Sequence, residues 1–473
     1  MTVSPCSADF FVPNKDLYKF LVAVRQKSIK NKCNQIASIS LKIDFVDPLV
    51  ILEKLTLPHQ LNFYWENKSK KEAIAAIDAV AKLQIEGSDR FLRSEEFIKD
   101  SFSNIINFLS REEPFFQPIF FCSFGFFERN CRENYPFPAA TVFLPRWQVA
   151  VKGEDCILVF NTVVNAEINI NVIWDILCQK IETIRALKFH CQVVNKREAQ
   201  FSKKFIFHPE RFKHSVLSAL KTIQSERISK IVLADILDVR GSTPFDLFSS
   251  LNNLRQLHPN CYIFSTSNGQ GQNFIGASPE RLISIHKQQL VTDALAGSAP
   301  RGTTPAEDAI NADRLLNSEK ERHEHLLVID FITQRLSQLG LLPRVSPPRL
   351  RQLSNIQHLW TPISAIVPDR VHPLQIVSQL HPTPAVAGTT PDLACDEIRR
   401  YESFERGLYA APLGWVDPNG NCEFIVGIRS ALLDGDRARL YAGAGIVAGS
   451  DPEKELLEVQ LKLQALLKAL VCS

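Results

Sequence analysis

Apolar residues recur along the chain with two periods, and the switches between them outline its elements. In "HPERFKHSVLSALKTIQSE" they return every three to four residues, which predicts a helix. The segment that follows, "ISKIVLADILDV", reads as a strand on its β-branched content and alternation. Further strands are expected at "CYIFSTS", "QNFIGAS", "RLISIH", "QLVTDAL" and "ARLYAGAGIVAG", and a hairpin at "GWVDPNGNCEFIVGIRSALLD". Helices are expected over roughly 305–316, 318–339, 371–379, 393–406 and 452–470. In the first 200 residues or so, "LNFYWEN" reads as a strand and "EAIAAIDAVAKL" as a helix with apolar spacing near 3.6. "ATVFLPRWQVAVKGEDCILVFNTV" reads as a hairpin turning at Gly153-Glu154-Asp155, and the Phe-rich "FFQPIFFCSFGFF" as core strand. Long runs of hairpin-connected strands with helices between them predict an α+β fold with large antiparallel sheets. "LLPRVSPPRLRQ" is a Pro-rich loop between a helix and a strand, not a domain boundary.

Composition narrows the class. Hydrophobic residues at 45% and charged residues at 22% exclude a disordered chain. A net charge of +3 points neither to nucleic acid nor to an acidic surface, so any basic site is local. The eleven cysteines are odd in number and unpaired in spacing, which fits reduced thiols in a cytosol-like compartment. The N-terminus carries acids (Asp9, Asp16) and no apolar leader, and no apolar run approaches the ~18 residues of a membrane helix. The chain is expected to be cytoplasmic, or in a plastid stroma if the source is a plant or alga.

The chemistry concentrates in "SEKERHEHLLVID", residues 318–330. Ser318 and Glu321 form a capping box, which accounts for Glu321 as a helix-start residue. His323 and His325 are two apart, not at the i,i+4 spacing one zinc ion needs. Glu324 lies on or beside the apolar face of Leu327, Val328, Phe331 and Ile332, where an unpartnered carboxylate is costly. Taken alone, an Arg or Lys partner accounts for it best. The last helix, "DPEKELLEVQLKLQALLKAL", places Glu455, Glu458 and Lys462 on one side. Carboxylates from two helix starts could hold one Mg²⁺ with water and substrate, or could be a solvated acidic helix start.

The ordered set "KIVLAD", "GASPERL", "ALAGSAPRG", "SEKERHEH", "IQHLWTP", "HPTPAVAG", "GWVDPNGNCEFIVGIRSALL" and "YAGAGIVAGSDPEKELLE" resembles the chorismate-utilising enzymes. That family includes anthranilate synthase component I, aminodeoxychorismate synthase, salicylate synthase and isochorismate synthase. The match covers roughly residues 205–470, with "FYWE" and "LPRW" as looser likenesses upstream. The resemblance implies one large α/β/β/α sandwich, in which 1–204 contribute strands and helices and 205–473 form the chorismate-binding half. It implies Mg²⁺ held by Glu324, Glu455 and Glu458, gripping the ring carboxylate, with Lys462 as a second contact. Arg429 and Tyr409 match positions that hold the enolpyruvyl carboxylate, and Gly443 and Gly445 open the backbone to it. Ala296, Gly297 and Ser298 in "ALAGSAPRG" and Ala385 in "HPTPAVAG" match substrate-contacting positions. His358 matches the active-site histidine near the leaving side of the ring.

Members of the family differ in their nucleophile. Ala296 stands where aminodeoxychorismate synthases commonly carry a lysine that attacks the ring. Lys230 in the first strand and Ala385 in "HPTPAVAG" resemble the water-using branch. By alternation Lys230 shares a face with Ile228, Val232 and Ala234, where desolvation would lower its pKa from ~10.4 and make it a general base. Glu280 is the matching acid, protonating the C4 hydroxyl as water adds at C2 to give isochorismate. Salicylate synthase, which goes on to eliminate pyruvate, is the neighbouring alternative, and an inactive chorismate-binding subunit is the other. The long N-terminal half resembles enzymes of menaquinone and phylloquinone synthesis. No glutamine amidotransferase subunit is expected, and the chain is expected to be a monomer or weak homodimer. One departure is Asp235, where the family usually has Arg. Alternation points it away from Lys230, into a surface pair.

Overall fold

The strand Ala140–Lys152 organises the molecule, because its two halves have different neighbours. In the computed structural model, which describes residues 15–108, 115–131, 135–187, 208–353 and 356–471, its whole length pairs with Glu72–Ile85. On the other edge Trp147–Lys152 pairs with Asp155–Val164, while Ala140–Phe143 pairs with Phe120–Phe124. The sheet therefore forks. One arm runs through Asn62–Asn67, Tyr262–Ser267, Gln272–Ser278, Ser430–Asp434 and Arg437–Val447 to Lys230–Arg240. The other runs through Pro412–Val416, Cys422–Val426, Arg281–His286 and Gln289–Pro300 to Ile356–Ile366. Apart from the parallel pair Gln35–Ile43 and Ile105–Phe108, the strand pairings are antiparallel. Helices cover the outer faces, giving the α/β/β/α sandwich that the motifs imply.

Each arm passes from a strand of the first half of the sequence to strands of the second, so residues 15–187 and 208–471 share one core. The Phe-rich stretch fills it. Phe116, Phe120, Phe121 and Phe124 are buried, and Phe121 sits 4.9 Å from Phe63, centroid to centroid. Burying such rings contributes about 1.5–3 kcal/mol each. The hairpin at Gly153-Glu154 forms as expected, with Lys152 opposite Asp155 and Gly153 at φ +63°.

Three expectations need correction. "EAIAAIDAVAKL" is not a helix but most of the strand Glu72–Ile85, buried between two partners. Its alanines suit a helix, yet pairing on both edges outweighs propensity. Asp78, at φ +62°, kinks it and accepts a hydrogen bond from Arg146 Nε at 2.7 Å. "LLPRVSPPRLRQ" holds two short strands, Arg344–Val345 and Arg349–Gln352, that pair with Ile356–Ile366. Asp235 is not at the surface. It is 2% exposed, with Arg211 Nη2 at 3.5 Å, and burial pushes its carboxyl above the usual range.

The reading of the N-terminal leader, which included Asp9, falls on residues 1–14, outside the described residues. Among the described residues no helix is long and apolar enough to cross a membrane, and the described cysteines are free thiols.

Candidate active site

The two arms of the sheet end on either side of a cavity of about 140 Å³, closed by the helices Glu319–Gln338 and Pro452–Val471. Ser318 caps the first helix, its Oγ accepting from the Glu321 N–H at 3.3 Å. His325, Val328, Ile332 and Leu336 form its buried stripe, which turns the neighbouring Glu324 towards the strand Lys230–Arg240. There the Lys230 Nζ lies 2.7 Å from Glu324 Oε1, with the two side chains 1% and 12% exposed. The counter-charge of Glu324 is therefore present in the chain itself. Burial alone would raise the Glu324 carboxyl, but Lys230, with Lys320 and Lys462 behind it, more than offsets this and holds it below the ordinary range. Gly445 runs beside the pair. A Cβ there would stand 3.0 Å from Glu324 Oε1 and 3.1 Å from Lys230 Cε.

Glu455 and Glu458 enter from the first turns of the last helix. Lys462, one turn on, donates to Glu458 Oε1 at 2.7 Å and to the Gly443 carbonyl at 2.8 Å. Lys320 Nζ lies 3.7 Å from Glu455 Oε1. Glu321 is more than a helix-start residue. Its carboxylate turns into the cavity, where Oε2 accepts from the Ser298 N–H at 3.0 Å. Burial and then neighbouring glutamates push the Glu321 and Glu455 carboxyls up. So Glu321, Glu324, Glu455 and Glu458 face Lys230, Lys320 and Lys462, with the lysines occupying the acids. Among the described residues no group of three or more His, Cys, Asp or Glu side chains is placed to hold a metal ion as it stands. The donor set is all carboxylate, which suits a hard divalent cation, and such an ion would relieve the repulsion that helps raise Glu321 and Glu455.

The opposite end is cationic. Arg429, at φ +50°, is half-buried, and among the described residues no carboxylate is recorded in an ion pair with its guanidinium, Glu458 acting on it only at longer range. Its Nη2 lies 3.4 Å from His358 Nε2, and His358 Nδ1 lies 2.9 Å from Ser298 Oγ. The strand Gln289–Pro300 shifts register between Ala296 and Ser298, with Gly297 at φ +79°, so that Ser298 falls opposite His358. A Cβ on Gly297 would meet Glu321 at 3.2 Å. Tyr409 stacks on Tyr441 at 5.3 Å, and its Oη lies 2.9 Å from where a Cβ of Gly443 would be. Gly443 thus faces Tyr409, whereas Gly445 faces the Lys230–Glu324 pair.

Glu280 sits between these ends, 5% exposed, with its carbonyl accepting from the Val426 N–H at 3.1 Å. Burial, and then the Asp293 carboxylate, push its carboxyl up to about 8, with Lys230 acting against them. A carboxyl pushed this far up favours its protonated form near neutral pH.

Every site residue named from the sequence lines this one cavity, Ala385 included, except Lys230, which lies behind its wall under Glu324. Sequence reasoning missed Glu321, Lys320 and Tyr441. For Glu321 a signal existed: it stands three residues before Glu324, as Glu455 does before Glu458. Its capping role concealed the second one.

The family description "Chorismate binding enzyme" matches residues 22–471. The salicylate biosynthesis isochorismate synthase of Pseudomonas aeruginosa is 33% identical over 92% of this chain and 90% of its own. The isochorismate synthase MenF of Bacillus subtilis is 30% identical over 92% and 93%. Among solved structures, the menaquinone-specific isochorismate synthase MenF of Escherichia coli superposes with a TM-score of 0.77 and 25% identity, covering 95% of this chain and 99% of that one.

Proposed function

Since the chain belongs to the chorismate-binding enzymes, we propose that it is an isochorismate synthase, an isomerase that converts chorismate to isochorismate. The observation that carries the reading is that Glu280, its carboxyl pushed up by burial, and Glu324, paired with Lys230 behind the wall, line one cavity.

Arg429 and Tyr409 hold the enolpyruvyl carboxylate, the guanidinium supplying two parallel donors to an anion it otherwise lacks. Glu324, Glu455 and Glu458 are the residues that would hold Mg²⁺, with Glu321 beside them. When bound, Mg²⁺ offsets the ring carboxylate's charge and fixes its position. Lys462 gives that carboxylate a second contact. Were Mg²⁺ to engage Glu324, the Lys230 ammonium would lose its carboxylate partner. In that state Lys230, having given its ammonium proton to solvent, takes a proton from a water molecule as that oxygen bonds to C2. The ring double bonds migrate, the C4–O bond breaks, and Glu280 gives its proton to the departing hydroxyl, which leaves as water. Orientation of water and ring inside a closed cavity supplies much of the rate.

Ala296 supports the water reading, because no lysine stands there to attack the ring. The likeness to the MenF proteins favours menaquinone or phylloquinone synthesis as the use of the product, and the free thiols fit a cytoplasmic setting. Incubating the purified protein with chorismate and Mg²⁺ and resolving the products tests the assignment. Isochorismate alone is expected. Accumulation of salicylate and pyruvate would make the chain a salicylate synthase, and chorismate binding without turnover an inactive relative.

A further inference from the structure

The hydrogen bonds at the cationic end determine where the proton of His358 resides. Arg429 can only donate, so at 3.4 Å from its Nη2 the His358 Nε2 must offer a lone pair. The single ring proton of a neutral imidazole is then on Nδ1, where it is donated to Ser298 Oγ at 2.9 Å. An imidazolium would instead place two cations face to face in a buried site. Burial, and then the Arg429 charge, drive the ring well below its ordinary pKa. His358 therefore has no proton to give towards the ring of a bound substrate.

We propose that His358 is a positioning residue: its Nε2 lone pair aims the Arg429 guanidinium, and the Ser298 hydroxyl fixes the tautomer that makes this possible. The inference deepens the proposed reading, on which it rests for the identity of the carboxylate that Arg429 receives. Two features show why such a guide is needed. Arg429 occupies a left-handed backbone conformation and has no carboxylate partner among the described residues, so little else holds its fork in place. Ser298 is itself tied down, its N–H donated to Glu321 Oε2 at 3.0 Å across a bulge that only glycine at 297 allows. Having accepted from His358, the Ser298 hydroxyl retains its own proton and can donate it into the cavity, which it lines.

The test compares His358→Gln with His358→Ala. A Gln amide presents an oxygen lone pair towards Arg429 and N–H donors towards Ser298, but it cannot transfer protons. The expected result is a KM for chorismate raised on the order of tenfold in His358→Ala, the worth of a hydrogen bond to a charged group, with kcat within a few-fold. His358→Gln should restore most of that KM. Loss of kcat by orders of magnitude in both variants would assign His358 a proton-transfer role and overturn the inference, as would an unchanged KM in His358→Ala. The tautomer is read separately by nitrogen NMR on protein with labelled histidine, the His358 signals being those lost in His358→Gln. Pyrrole-type Nδ1 and pyridine-type Nε2 are expected across about pH 6–8, and the opposite tautomer or an imidazolium there contradicts the proposal. If the wild-type protein proves not to turn over chorismate, the same variants are compared by chorismate Kd. Failure of the functional reading and failure of this inference thus remain distinguishable.

Discussion

Lys230 Nζ and Glu324 Oε1 meet at 2.7 Å in a buried pair that ties the strand Lys230–Arg240 to the helix Glu319–Gln338. The proposed duties of the two differ, one accepting a proton and the other binding a cation. Were Glu324 to bind a cation as proposed, it would have to give up Lys230, which would couple the two duties.

Removing one member leaves the other charge buried and unpaired. Lys230→Met should abolish turnover and destabilise the metal-free protein by about 3–5 kcal/mol. Adding Glu324→Gln should recover most of that stability and none of the activity. Denaturant titration in the presence of a chelator measures both. A single variant as stable as the wild type would mean the pair does not exist in solution.

Glu280 should act as an acid. Glu280→Gln is expected to lower kcat by roughly two to four orders of magnitude with KM within a few-fold. In the wild-type protein kcat should fall as pH rises through about 8, the value to which the carboxyl is pushed, and that limb should vanish in the residual activity of Glu280→Gln. Steady-state kinetics across pH decide it; a flat wild-type profile above that pH counts against the assignment.

The same carboxyl makes a stability prediction that needs no substrate. Its folded pKa of about 8 lies above the unfolded value of 4.5, so the folded state retains a proton that the unfolded state loses between those two values. Folding stability contributed by this group therefore declines as pH rises through that window, by about 1.4 kcal/mol per unit. Glu280→Gln should be no more stable than the wild type below the window and more stable by a few kcal/mol above it. Equal Tm values at both ends would show that Glu280 is solvated.

Gly445 guards the Lys230–Glu324 pair. Gly445→Ala places a Cβ within 3.1 Å of both partners and should displace the carboxylate by a few tenths of an ångström while leaving the fold intact. Mg²⁺ affinity is expected to weaken on the order of tenfold or more, as is common when the support of a ligand is disturbed. Calorimetric titration with Mg²⁺ reports it, and unchanged binding would separate Gly445 from the acidic end.

The cavity was largely legible in the sequence because its residues fall in short ordered motifs at strand ends and helix starts, where position dictates direction. Glu324 illustrates this, since the apolar stripe of its helix alone turns it inward. What could not be read is what the side chains do to one another. The partner of Glu324 is Lys230, distant in sequence and brought near only by the sheet, and Glu321 leaves its cap to hold Ser298 through a bulge. "EAIAAIDAVAKL" failed for a related reason. Alanines alternate as readily as they spiral, and the decision lay with the strands on either edge.

The central claim, addition of water at C2 under the control of Lys230 and Glu280, is tested most directly by isotope labelling. The protein is incubated with chorismate and Mg²⁺ in water enriched in heavy oxygen, and the product is resolved and its mass determined. The account predicts isochorismate carrying one solvent oxygen in its C2 hydroxyl, absent in Lys230→Met and Glu280→Gln. Isochorismate without solvent oxygen, or labelling that survives in either variant at the wild-type rate, would contradict it.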